Sequence, residues 1–276
     1  WSSDVCSSDL AIKPTGGQRL TESKKDNIIR NTVKPHSLVG VIPEIIDPDY
    51  VYLIITTQVK YDPRATTRTR SQLSTSIIDA VDTYAAQYIQ KFNTSFRFSR
   101  LTRAIDDADA AISSSLTRIE LQKRIFPILG VENSLVVKFG APLYKNGSES
   151  VLLEPTSHRF SYLDHNQVQQ DNCFLRERNG IVDVVVYDEN RVLQIVDNAV
   201  GSIDITTGVM RLANFAPQDI EGSAVDIWIN ALPATADLTP ELNRMFYVDA
   251  DTISVELFDE NSTVSSAGFL QGGRLR

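Results

Sequence analysis

Between Tyr50 and Tyr61, the apolar residues Val51, Leu53, Ile55, Val59 and Tyr61 share one parity, and Thr56, Gln58 and Lys60 share the other. This period of two predicts a half-buried strand, ended by Asp62-Pro63. From Thr69 to Phe92 the spacing changes to three and four. Ile77, Val81, Tyr84 and Tyr88 form one stripe, with Ile78, Ala85, Ile89 and Phe92 beside it, which predicts an amphipathic helix. A second helix is expected from an N-capping Ser99 to about Ser113. It would align Leu101, Ile105, Ala108 and Ile112 and carry Asp106, Asp107 and Asp109 on its other face. Leu116 to Phe126 alternates again, with Ile119, Leu121 and Ile125 opposite Arg118, Glu120, Gln122 and Arg124. Each of these elements has one apolar face, so strand, helix, helix and strand should bury those faces together as a two-layer α+β unit over 36–130.

Beyond Gly130 the chain reads as short β-prone runs: Leu135–Phe139, Val151–Leu153, Phe160–Leu163, Ile181–Tyr187, Val192–Val196, Val225–Ile229 and Thr252–Phe258. Asn146-Gly147, Asn179-Gly180 and Thr207-Gly208 lie between such runs, and Asn-Gly in that setting favours hairpins because its residues tolerate positive φ. The fold class is therefore α+β, a small two-layer helix-on-sheet unit followed by a mainly antiparallel β region over 131–276. Residues 11–35 are polar and weakly periodic, and read as a linker or truncated element. Trp1–Leu10, WSSDVCSSDL, is what the tail of a widely used short-read sequencing adapter encodes, and is set aside as a scar. On that reading the protein extends beyond Ala11 toward its N-terminus.

Charge narrows the function classes. The chain has 35 acidic and 27 basic residues, a formal charge of -8 that becomes -6 without Asp4 and Asp9. Such an average surface repels phosphate and argues against a nucleic-acid partner. Apolar runs such as Val51–Ile55 and Val184–Tyr187 fall far short of the roughly 20 residues that a spanning helix needs, so no membrane partner is expected. Leaving out Trp1 and Cys6, Cys173 and Trp228 are the sole residues of their kinds, which removes disulfide frameworks and cysteine-based zinc sites.

The spacings that common catalysis imposes are missing: no phosphate-cradling glycine loop, HExxH or GxSxG occurs. His36, His158 and His165, with Asp164, read as surface or turn residues rather than metal ligands. Cys173, near His165 and Asp171, reads as a buried, inert thiol. Asp106, Asp107 and Asp109 lack the turn glycine and closing glutamate of a calcium loop, and suit a solvated or partner-facing surface. Arg64, Arg68, Arg70, Arg97, Arg100 and Arg103 form a local basic concentration interleaved with Phe92, Phe96 and Phe98. Arginine with aromatics is also the composition of protein interfaces, and an interface or helix-capping role is preferred over a nucleic-acid patch. No cofactor is expected.

YVYLIITTQVKYDPRATT, followed by FNTSFRFSRLTRAIDDADAAISSSLTRIELQKR, resembles the baseplate wedge subunit of T-even-type contractile-tailed phages, whose core is related to the baseplate J-like proteins. The carriers are Tyr61, Asp62 and Pro63, the Phe96–Asp109 run and Ser113–Arg124. Gly201–Leu212, GSIDITTGVMRL, resembles the family's strand-turn-strand element. The likeness covers roughly Val33–Leu212. It implies the C-terminal part of a non-enzymatic virion protein, assembled in the host cytoplasm. Such a subunit pairs with its own copy as a homodimer, joins other wedge subunits and a sheath-initiator-type protein, and surrounds the central hub. The candidate interface is Arg97, Arg100, Arg103, Asp106, Asp107 and Asp109. Two other classes compete: a β-rich tail or adhesin-like module binding a host-surface ligand, and an enzyme built on His158, Asp164 and His165.

Overall fold

The computed structural model describes residues 6–14, 20–36, 41–240 and 244–260. Strand β1 (Cys6–Ala11) leads to helix α1 (Glu22–Ile28), which the Thr21 hydroxyl caps by accepting the Lys24 N–H, and then to β2 (Val41–Ile46). β1 pairs in parallel with β2 as a separate two-stranded sheet, so residues 6–10 of the adapter-like stretch take no part in the two larger sheets.

The α+β unit follows as β3 (Asp49–Tyr61), α2 (Arg70–Tyr84), α3 (Phe98–Asp106) and β4 (Ile112–Ile125). β3 and β4 run antiparallel, with Leu53 opposite Leu121 and Ile55 opposite Ile119. The expected strand faces are the observed ones. Val51, Leu53, Ile55, Val59, Ile119 and Leu121 are buried in one cluster with Leu73, Ile77 and Val81 of α2 and Leu101 and Ile105 of α3. Each such side chain stabilises the fold by about 1.5–3 kcal/mol through burial.

Two helix boundaries depart from the expectation. α2 begins with a capping box between Thr69 and Gln72, but its last turn is a π-helical turn, Ala85–Ile89, closed by Gln90 N–H donating to the Ala85 carbonyl. The extra residue in that turn brings Ala85 and Ile89 into the core and rotates Tyr88 outward, 48% exposed, although the stripe would have buried it. α3 ends at Asp106 rather than Ser113, since Ile112 already belongs to β4. Ser99 is not its cap: Arg97 holds that position, and the Phe98 N–H donates to Asp237 Oδ1 at 2.9 Å. A carboxylate 139 residues away thus does the work expected of a local side chain.

The remaining strands are β5 (Asn133–Lys138), β6 (Leu152–Leu153), β7 (Phe160–Leu163), β8 (Gln169–Arg178) and β9 (Ile181–Tyr187). β10 (Leu193–Asp204), β11 (Val209–Phe215), β12 (Asp219–Ile220), β13 (Ile227–Ala231), β14 (Arg244–Tyr247) and β15 (Ile253–Asp259) complete them. A seven-stranded antiparallel sheet runs β12-β7-β8-β9-β10-β11-β5. At the β8–β9 hairpin Asn179 and Gly180 both have positive φ, 53° and 81°, as a two-residue turn of the expected kind requires. Thr207-Gly208 likewise joins β10 to β11. Asn146-Gly147 instead turns the loop between β5 and β6, which lie in different sheets.

The other sheet is six-stranded. It runs β14-β3-β4-β13-β6, with β15 also on β3. Strands beyond residue 130 therefore complete the sheet that β3 and β4 begin. β14 and β15 take consecutive stretches of the same β3 edge in parallel, Arg244 opposite Asp49 and Ile253 opposite Ile55. Asp49 binds both Lys123 Nζ and Arg244 Nε, the latter at 3.0 Å, which locks that corner. Burial holds the Lys123 ammonium below its ordinary pKa, against the opposing pull of Asp49.

Candidate interface and a polar cleft

The six residues expected at an interface divide into two groups. Arg97 pairs with Asp237 at 2.8 Å, Asp106 accepts a hydrogen bond from Ser115 at 2.5 Å, and Asp109 pairs with Arg68 at 3.3 Å while accepting the Ala111 N–H. These three tie α3 and the turn that follows it to neighbouring segments of the same chain. Arg100, Arg103 and Asp107 face outward. Arg103 and Asp107 form a helix-side pair at 3.3 Å, both well exposed, and Arg100 places its guanidinium 5.9 Å from the Tyr88 ring. With Ala80, Thr83 and Ala104 they line a shallow depression of about 470 Å³ between α2 and α3. The π turn supplies its aromatic rim by turning Tyr88 out. An exposed pair of this kind adds about 0–1 kcal/mol to stability, so the patch is not needed to hold the fold.

The opposite face of the six-stranded sheet carries a different constellation. Arg124 of β4 lies between two rings, 3.8 Å from the Tyr52 centroid and 4.8 Å from that of Trp228. His158 stacks on Trp228 at 4.0 Å and 11°, and Asp226 bonds both His158 Nδ1 and Trp228 Nε1 at 3.0 Å. The order Tyr52, Arg124, Trp228, His158 thus forms one layered pile. Beside it, Gln122 donates to Asn230 at 3.1 Å and accepts from Arg124 at 3.1 Å, and Arg118 pairs with Glu120 at 3.0 Å. Burial raises the Glu120 carboxyl above its ordinary pKa, with Arg118 pulling the other way. The alternating polar positions of β4 were legible as a face, whereas their partner Trp228 and the depth of the cleft were not.

His158 and His165 lie at opposite ends of β7. His165 bonds its neighbour Asn166 at 3.1 Å, and Asp164 caps its own turn by accepting the Asn166 and Val168 N–H groups. The three residues of the enzyme reading therefore form no single constellation. Cys173 is buried, and burial pushes its thiol up to about 12, as expected of an inert cysteine. Among the described residues, no three His, Cys, Asp or Glu side chains converge on a metal-sized site.

The segment holding β3, α2, α3 and β4 also matches a known family. Residues 49–124 match the family described as baseplate structural protein gp6, C-terminal domain III. Over 116 residues the chain is 29% identical to the baseplate wedge protein gp6 of Enterobacteria phage T4. That match takes in 42% of this chain and 17% of the phage T4 protein's length. Both findings bear out the resemblance to the C-terminal part of a baseplate wedge subunit.

Proposed function

We propose that this chain is a structural component of a contractile-tail baseplate, located in the virion, that works by forming permanent contacts rather than by catalysis. The match of residues 49–124 to a baseplate domain carries this reading, because it runs from the start of β3 through α2 and α3 to Arg124 of β4. In this reading the chain self-associates as a homodimer and joins other wedge subunits and a sheath-initiator-type protein around the central hub. No nucleic acid, membrane or cofactor takes part, and no described helix is long and apolar enough to cross a membrane.

The contact surface we favour is the depression between α2 and α3, with Tyr88, Arg100, Arg103 and Asp107. An exposed aromatic beside arginines is the composition of a binding hot spot, and none of the four is consumed in holding the fold. The test is the solution molar mass of residues 11–276 by light scattering behind a sizing column, for the native sequence and for a Tyr88→Ala, Arg103→Glu double variant. A dimer that the double variant dissociates supports the assignment. A dimer unaffected by it moves the contact elsewhere, and a monomer at all concentrations counts against self-association.

A further inference from the structure

The polar cleft on the helix-free face of the six-stranded sheet has no part in the proposed assembly contacts, yet it is a built site. It encloses about 610 Å³ between the sheet face and the segments around Leu153–Thr156 and Asp249–Thr252. Its floor includes two buried amides, Gln122 and Asn230, each held by the hydrogen bonds described above. Arg118 Nε is buried without a hydrogen-bond partner. A buried donor left in that state has given up its bond to water, and an acceptor brought by a ligand would restore one. Thr56, Thr252 and Ser254 also line the cleft.

Three properties define what fits. The floor offers donors and acceptors in alternation from amides, hydroxyls, a guanidinium and a carboxylate, so the occupant must present both at short intervals, as each sugar hydroxyl does. The lining holds Glu120, Glu154, Asp249 and Asp251 against Arg118 and Arg124, an excess of negative charge that disfavours phosphate, sulfate or sialic acid. The volume matches one or two sugar rings and lies within the usual range for small-ligand sites.

We propose that this cleft binds a neutral carbohydrate, with Glu120, Arg118 and Thr56 contacting its hydroxyls. Trp228 lines the cleft and reports on it. The experiment titrates residues 11–276, in which Trp228 is the single tryptophan, with neutral trisaccharides of glucose, galactose and N-acetylglucosamine. Sialylated and sulfated trisaccharides are the controls, and the readouts are tryptophan fluorescence and saturation-transfer NMR. At least one neutral sugar is expected to bind saturably below about 10 mM. Glu120→Gln and Thr56→Val should each weaken it about tenfold while the protein still melts cooperatively, since both changes keep side-chain size. Absence of saturable binding by all three neutral sugars overturns the proposal. Equal binding of charged sugars, or affinity unchanged in both variants, does so too. Hydrogen exchange on the assembled protein gives a further check: protection of β4 and β13 by a neighbouring subunit, with no sugar present, would make the cleft a protein seat and also overturn it. None of these results alters the light-scattering test of assembly.

Discussion

Thr57 and Thr117 face each other across β3 and β4 and share a hydrogen bond of 2.9 Å in the middle of an otherwise apolar sheet face. Both are buried, so each hydroxyl depends on the other. Thr57→Val or Thr117→Val alone strands a buried hydroxyl and should destabilise by about 1–3 kcal/mol. The double valine variant should return close to the native value, because both polar groups leave together. Urea denaturation of the four proteins checks this, and a double variant no better than the singles would refute the pairing.

Asp237 holds the start of α3 through two bonds, one to the Phe98 N–H and one to Arg97. Both lower its carboxyl below the ordinary aspartate range, the Arg97 bond most. Asp237→Ala should cost about 1 kcal/mol, the usual loss of a helix cap, and should raise amide exchange in the first turn of α3 while leaving β8 to β11 unchanged. Uniform exchange across the molecule would show that the contact is not local.

Ile105 and Ile119 are fully buried in the contact between α3 and β4. Replacing either with Asp should unfold the α+β unit, since an unpaired buried carboxylate costs several kcal/mol. Asp107→Lys, on the exposed side of the same helix, should leave the melting temperature nearly unchanged and act on association if it acts at all. Circular dichroism melts separate the two classes; soluble, cooperatively melting Asp variants would contradict the assigned faces.

Gly147 and Gly208 both have positive φ, at 56° and 64°. They differ in surroundings: a Cβ on Gly147 meets nothing, whereas on Gly208 it would approach the Ala141 carbonyl oxygen to 2.1 Å. Gly147→Ala should therefore cost about 1 kcal/mol for the backbone conformation alone. Gly208→Ala should cost clearly more, because the β10–β11 turn must also move away from the 139–143 segment. Equal losses in chemical denaturation would mean that the turn shifts freely.

Glu177 is a buried carboxylate whose desolvation alone would raise its pKa. The Lys145 ammonium at 2.7 Å and the Gly180 and Val151 N–H groups reverse that and leave it below the ordinary glutamate value. A pKa lowered by folding adds stability above the unfolded value and loses it as pH falls through the folded one. The protein should accordingly lose stability on acidification below about pH 4. Glu177→Gln should flatten that limb of the stability-against-pH curve while lowering stability at pH 7. Glu120 acts with the opposite sign: its raised pKa favours the fold at low pH, and that share is lost as pH rises.

Much of the architecture was legible because one-sided burial leaves a periodic trace. β3, β4 and most of β5 to β15 fall where alternation or β-prone runs placed them, and Asn179-Gly180 makes the hairpin its two residue types favour. β8 left no such trace, since QQDNCFLRER is polar over its first four residues and shows no sustained alternation. The ends of α2 and α3 were not readable for a related reason. A π turn differs from an α-turn by one residue, and a cap supplied by Asp237 has no signature near Phe98. For the candidate interface, residue type located the helix but not its exposed side: Arg97, Asp106 and Asp109 look like Arg103 and Asp107 in sequence, and their separate roles follow from partners on other elements.

Asp49 and Arg244, bonded at the corner of the six-stranded sheet, are 195 residues apart in the chain. Between them lies every strand of the seven-stranded sheet, so the second neighbour of β3 becomes available only after that sheet's sequence has been made. β3 can pair with β4 early, but its other edge must wait for β14 and β15, and an unsatisfied strand edge is prone to wrong pairing. Synthesis order therefore sets a hazard interval during which β3 is half-paired. The parallel strands that close it come last, with the high contact order of slowly folding domains.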